Sequence, residues 1–442
     1  MIVAPELGGI GPLAAAYLER QAWYHAVVGH EGGEDVALLS AEVLRPGSPG
    51  LARLVLGRGG SRFQLLVGSR PPAEAAEVLG SREAALLGQL TVAGTTVLAY
   101  DALADDELCV ELLVHVTGGS QRASMVRRVS TLVSHASLVF DERLFMKCYR
   151  VLEPGARPEV EVMLRLDEVG FNAMLAPVAH WREDGYDLAL VREFQPSALE
   201  GRLLAFTSLR DLLAHACAPD DSQPVERAPS EAARARADPD AETAAAGGDL
   251  AAEMRRLGST TARLHLALAE VFGDVPATRE TFAAAVGDET GRVERELAVL
   301  RDDAAGRVVR LHGDYHLRRV MRSEAGWLVA GFGDDPLNGT DAAGSSLTGR
   351  RGSPLEDIAD MCASLKMVAR EALAQRAPEE AETATHLADA WIRRNETAFL
   401  DGYVGTDGAS RLLPDDPALV GLLLAGFGRE RMLRYEATSS EA

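Results

Sequence analysis

Cysteine is scarce in this sequence: Cys109, Cys148, Cys217 and Cys362 are scattered over 442 positions with no CxxC pair. That spacing argues against a disulfide framework or a cysteine-based zinc site and suits a reducing compartment. Basic residues are outnumbered as well. The chain has 45 Lys and Arg against 66 Asp and Glu, for a formal charge of −21. Binding to nucleic acid depends on clustered cations, so nucleic acid is not expected as a main partner. A small phosphorylated ligand stays open, because it needs only a few local cations and backbone N–H groups. No apolar run is long enough to span a bilayer, and the opening MIVAPELGGIGPL has no basic region ahead of an apolar run. The expectation is a soluble, cytoplasmic protein with no membrane partner. No internal repeat is present.

Apolar residues make up 47% of the chain, enough for ordinary cores, and the length implies two or three lobes. Residues 1–92 mix a helical pattern (LAAAYLERQAWYHAVV) with strand-like runs (DVALLSAEVL, RFQLLVG), which predicts a small α+β unit. Residues 93–200 read as a strand-rich lobe, with TTVLAYDAL, CVELLVHV, ASLVFDERLFMKCYRVL and YDLALVREF as strands and a helix over 157–169. Residues 218–249 are poor in bulky apolars and rich in Pro, Ala, Ser and charge, and read as a linker or exposed insertion. From 201 to 442 the chain is mostly helical. Met254, Leu257, Thr261, Leu264 and Leu268 recur at helical spacing, and helices are expected over 279–300 and 379–402.

The chemistry concentrates in LHGDYHLRRV, residues 311–320. Asp314 beside a glycine can present its carboxylate on a tight loop and accept a proton from a substrate hydroxyl. His312 can hold the loop's shape. The same residues also suit a His–Asp pair that merely stabilises a turn. Upstream, Lys147 sits in the alternating strand LFMKCYR, and Glu161 follows on the predicted helix. A strand Lys paired with a helix Glu is the arrangement that fixes ATP phosphates in kinase-type folds. Ser134 and Ser137 flank a hairpin tip that could cover phosphates. Taken singly, Lys147 and Glu161 also fit solvated surface positions.

In this order, LFMKCYRVLEPGARPEVEV, LALVREFQPSALEGR, LHGDYHLRRVMRSEAGWLVAGF, SPLEDIADM and WIRRNETAFLDGY resemble the actinobacterial maltokinase family, within the aminoglycoside-phosphotransferase-like kinases. The resemblance runs from about 125 to 436. It implies an α+β, bilobal, protein-kinase-like fold: an N-terminal cap, a strand-rich N-lobe that binds nucleotide, and a helical C-lobe. It implies ATP and Mg²⁺ as cofactors and a small sugar acceptor, maltose or a glucosamine-type sugar. By resemblance Lys147 and Glu161 hold phosphates, Glu193 to Gln195 form the hinge facing adenine, Asp314 is the base with His312 as its anchor, and Asp357 is the acid of the SPL-x-D segment.

The pattern departs from the family at both metal ligands. Arg319 stands where a Gln or Asn is expected, and Gly331 where an Asp is expected. Asp334 and Asp335 are possible substitutes, or simply an acidic turn. On the acceptor side, the family's D-G-W reads Glu200-Gly201-Arg202, Ala363 replaces an Arg, and Phe427 replaces an acid. Glu200, Trp391, Arg394, Asn395, Tyr403 and Glu436 remain as substrate candidates, with ordinary packing of a late helix as their alternative. The first expectation is therefore a maltokinase-like sugar kinase. The alternative is a catalytically inactive pseudokinase that binds a protein partner.

Overall fold

The computed structural model describes residues 9–28, 35–92, 94–131, 135–216, 249–278, 281–282, 305–332, 350–377 and 381–440. Apart from Asp249, the expected linker lies outside these residues, as does the helix expected over 279–300 except for Thr281 and Phe282. The chain divides into two compact units: Met1–Met163 with Leu175–Pro196, and Leu164–Met174 with Ser197–Ala442. The cap segment and most of the strand-rich segment thus fall within one unit.

In the first unit, α1 (Ile10–Leu18) and α2 (Ala22–Val28) precede β1 (Ala37–Arg45), β2 (Gly50–Arg58) and β3 (Ser61–Arg70). Next come α3 (Pro72–Leu79), β4 (Leu86–Val92), β5 (Thr95–Asp101) and α4 (Asp106–Val116). The sheet order is β1-β2-β3-β5-β4, with the short β9 (Val151–Leu152) paired to β3. The second sheet combines β6 (Val126–Thr131), β7 (His135–Phe140), β8 (Leu144–Tyr149), β10 (Pro177–Glu183) and β11 (Tyr186–Glu193) in the order β10-β11-β8-β7-β6. Gln64 ties the two sheets. It is 3% exposed, and its Nε2 donates to the carbonyls of Tyr149 and Leu188.

CVELLVHV is helix rather than strand, and the reason is local. Asp105 caps α4, accepting from the N–H groups of Glu107 and Leu108, and Asp106 and Glu107 fill the first turn. Acidic residues there suit the positive end of the helix dipole. Leu108, Cys109, Leu112, Leu113 and Val116 then fall on one buried face, a helical period that the short window hid.

In the second unit α5 (Pro158–Glu168), which begins in the first, leads on to β12 (Leu199–Glu200), α6 (Gly201–Ala216) and α7 (Ala251–Phe272). Two small sheets follow the orders β12-β15-β16 and β13-β14-β17, built from β13 (Val275–Pro276), β14 (Arg307–Arg310), β15 (Val320–Ser323), β16 (Gly326–Val329) and β17 (Arg351–Gly352). The helices α8 (Pro354–Ala374), α9 (Ala381–Val404) and α10 (Pro417–Ser440) complete it. Met254, Leu257, Thr261, Leu264 and Leu268 are buried along α7, as their spacing predicts.

The helices α7 and α9 cross with their backbones in close approach. A Cβ at Gly258 would stand 1.9 Å from the Phe399 carbonyl oxygen, and one at Gly402 1.9 Å from that of Arg255. Both obstacles are backbone, which cannot rotate away. Gly258→Ala is therefore expected to cost about 3 kcal/mol or more, measured by urea unfolding. A loss under about 0.5 kcal/mol would mean that the two helices are free to separate.

Candidate active site

The site in the second unit is organised from α8. Ser353 and Glu356 form a capping box at its start, fixing the first turn and with it Asp357. Asp357 is 1% exposed. Its oxygens accept from the N–H groups of His312 at 2.8 Å and Gly313 at 2.9 Å, and from His265 Nε2 at 3.1 Å. Burial pushes this carboxyl upward, but His265, His312 and the Gly313 N–H outweigh it, so it titrates below its ordinary value. Burial raises the Tyr403 phenol, which stays protonated and donates to His265 Nδ1 at 2.9 Å. Nδ1 is then the accepting nitrogen, and the Nε2 proton faces Asp357.

His312 is buried, and burial lowers its pKa, so the ring is neutral. Nε2 donates to the Ala330 carbonyl at 3.1 Å, and Nδ1 accepts from the Asp314 N–H at 3.4 Å. The ring packs beside Tyr315 and Phe332, with centroids 5.3 and 5.1 Å away. The backbone of Asp314 is thus held on both sides, by Asp357 behind the loop and by the His312 ring.

Asp314 is buried, 8% exposed as a residue. Oδ2 accepts from Arg319 Nε at 2.9 Å and Nη2 at 2.7 Å. Oδ1 lies 3.3 Å from Arg431 Nη2 and 3.4 Å from His316 Nε2. Arg431 also reaches Asp360 at 2.6 Å. Burial alone would raise the Asp314 pKa, but His316, Arg319 and His312 pull it far below its usual range. Asp360 goes the other way: burial, together with Asp357, Asp314 and Glu356, pushes it well up against the pull of Arg431.

Arg319 also fills the space of the second expected metal ligand. Gly331 has φ +76°, and a Cβ there would stand 2.7 Å from Arg319 Cδ and 2.9 Å from Nη1. Among the described residues no group of three or more His, Cys, Asp or Glu could hold a metal ion. Asp334 and Asp335 lie outside the described residues. Magnesium requires oxygen ligands in near-octahedral array, and a guanidinium supplies none. The described residues therefore do not fit Mg²⁺ beside Asp314.

In the first unit Lys147, on β8, meets Glu159 rather than Glu161. The distances from Nζ are 2.6 Å to Oε1 and 2.8 Å to Oε2. Because α5 starts at Pro158, Glu159 falls in its first turn, buried against β8, whereas Glu161 is turned about 200° further round the helix and half-buried. Burial raises Glu159, but Lys147 outweighs it and its pKa is lowered. Ser137 is not at a hairpin tip. It lies inside β7, buried, in register with Lys147. Ser134 is outside the described residues. Glu193 ends β11 exposed, its N–H bonded to the Ala176 carbonyl at 2.9 Å, and Gln195 is exposed.

The late-helix candidates are not assembled as a binding surface. Trp391 is 1% exposed, its indole N–H donating to Ser208 at 3.1 Å. Asn395, fully buried, donates to the Trp391 carbonyl at 2.8 Å, and Tyr403 serves His265. A soluble substrate reaches none of these three without opening the core. Arg394 pairs with Asp249 at 2.7 Å. Glu200 is exposed on β12, and the side chain of Glu436 lies outside the described residues. Sequence reasoning missed Glu159, His265 and Arg431. The helical frame set by Pro158 could have found the first. The other two meet partners 92 and 117 positions away, and no local pattern shows that.

No protein-family model matches the chain. A glucosamine kinase of Streptacidiphilus jiangxiensis is 30% identical over 183 residues, spanning 36% of this chain and 39% of that protein. The match thus covers well under half of either. A solved glucosamine kinase in complex with glucosamine, ADP and inorganic phosphate matches 97% of this chain and 96% of its own, with TM-score 0.53 and 19% identity. A second crystal form of a glucosamine kinase matches 94% of both chains, with TM-score 0.55 and 22% identity. At those identities the likeness establishes the fold. The chain has the two-unit, α+β, kinase-like fold of these structures.

Two predictions follow from the loop and its arginine. Asp357→Asn is expected to cost about 3–5 kcal/mol at neutral pH, because it weakens the acceptor for two backbone N–H groups and His265. Depressed carboxyl pKa values stabilise the fold above the unfolded carboxyl range, and that stability is lost as pH falls through the folded values. The variant's unfolding free energy should therefore fall less steeply than the parent's through the acid range; equal slopes would remove Asp357 from that role. Separately, Gly331→Asp should cost about 1–3 kcal/mol and clearly less in an Arg319→Ala background, where the clash is gone. Strict additivity in that cycle would show that the two positions do not share space.

Proposed function

We propose that this chain is a sugar kinase that transfers the terminal phosphate of ATP to a hydroxyl of a small sugar. Asp314 takes the hydroxyl proton, the oxygen forms its bond to the γ-phosphorus, and the bond from that phosphorus to the β-γ bridging oxygen breaks to release ADP. Lys147, fixed by Glu159, takes the phosphates. Glu193 to Gln195 take the adenine edge. The observation carrying this reading is Asp314 on a loop fixed from behind by Asp357 and from the side by His312. The partial sequence match to a glucosamine kinase supports the same class of reaction, and the resemblance to maltokinases adds maltose as an acceptor to test.

His316, Arg319 and His312 make the base a weak one. A carboxylate held far below its ordinary pKa accepts a proton poorly, so slow turnover is expected. One observation favours a second reading, a nucleotide and sugar binder without turnover. Arg319 occupies both the Asp314 carboxylate and the space over Gly331, so the divalent ion usual in this chemistry has no seat among the described residues.

The test is ADP release from ATP with maltose, glucose or glucosamine. Asp314→Asn is expected to lower the rate by about a hundredfold or more. If parent and variant release ADP equally slowly with every sugar, the kinase reading fails. In that event a rise in Tm with ATP that is independent of Mg²⁺ supports the binder.

A further inference from the structure

The second unit contains a cavity of about 480 Å³ that begins beside the proposed base. His316 lines it, and His316 Nε2 lies 3.4 Å from Asp314 Oδ1. Leu317, Met367 and Val368 give it an apolar wall against which a sugar ring can pack. Its charged lining is Arg202, Arg318 and Arg370 against Glu371. In a chain with formal charge −21, a cavity rimmed by three arginines and one glutamate runs against the overall field.

Two of these arginines retain donors. Arg202 gives Nη1 to Glu371 at 2.7 Å, but its Nε, 3.4 Å from Glu200, is buried and makes no hydrogen bond. Arg318 is exposed, and its guanidinium has no ion-pair partner among the described residues. Guanidinium donors in a fork match a carboxylate or phosphate, and a buried N–H that makes no hydrogen bond is costly until an acceptor arrives. An ammonium group on the acceptor would meet like charge here.

We infer that the acceptor is an anionic sugar, a polyhydroxylated ring bearing a carboxylate or a phosphate, and that Arg202 and Arg318 select it. The volume suits one small ring with its substituent. The inference rests on reading Asp314 as the base only in calling the ligand an acceptor. Binding is measured separately, so the two can fail independently.

The experiment is calorimetric titration of the full chain with glucose, glucosamine, glucuronate and glucose 6-phosphate, at low and at raised salt. At least one anionic sugar should bind about tenfold or more tighter than glucose and glucosamine, with the advantage shrinking at raised salt. The glucuronate and phosphate arms identify which anion the arginines prefer. Arg318→Glu, an exposed change whose intact fold is checked by an unchanged far-UV circular dichroism spectrum, is expected to abolish the preference for anionic over neutral sugars. Equal or tighter binding of glucosamine, an unchanged preference in Arg318→Glu, or no binding of any of the four overturns the inference. Tight binding of an anionic sugar without Asp314-dependent ADP release upholds the inference and sinks the kinase reading.

Discussion

Asp357 accepts hydrogen bonds from the His312 and Gly313 N–H groups and from His265 while almost wholly buried. A buried carboxylate is tolerable only when it is fully bonded. The bonds that satisfy it are also those that set the loop's backbone, and the loop's backbone sets where Asp314 points. The chain of dependence then runs outward. Tyr403 fixes His265, His265 helps fix Asp357, and α7 and α9 approach through Gly258 and Gly402 closely enough for Tyr403 and His265 to meet.

Asp314 sits at the far end of this arrangement, itself buried, with two arginines on it. Arg319 and Gly331 share one space. The absence of a side chain at 331 leaves room for the guanidinium, which brings positive charge to Asp314 without offering any coordinating oxygen. The same sign of charge continues into the neighbouring cavity through Arg202, Arg318 and Arg370. These arginines gather near the proposed base in a chain that is otherwise strongly acidic.

Much of the architecture was legible in the sequence because its signals are local. Alternation identified β3, β8 and β11, and helical spacing identified α7. Segments were misread where two local signals competed. CVELLVHV is rich in β-branched and apolar residues, but the Asp105 cap just ahead of it decides for a helix. Glu161 looked like the partner of Lys147 because helical phase was not counted from Pro158. Trp391, Asn395 and Tyr403 looked available because polar and aromatic residues on a late helix give no sign of which face is buried.

The sequence by itself determined the helical spacing of α7, the placement of Lys147 on a strand and of Asp314 on an HGD loop, and an arginine and a glycine at 319 and 331. Those are properties of residue identity and short-range spacing. Only the tertiary structure decided that Glu159 meets Lys147, that Arg319 and Arg431 converge on Asp314, and that Tyr403 acts through His265. Each of those pairings depends on where a helix face lies or on residues far apart in the chain. Burial and proximity of that kind come into being only when the segments pack.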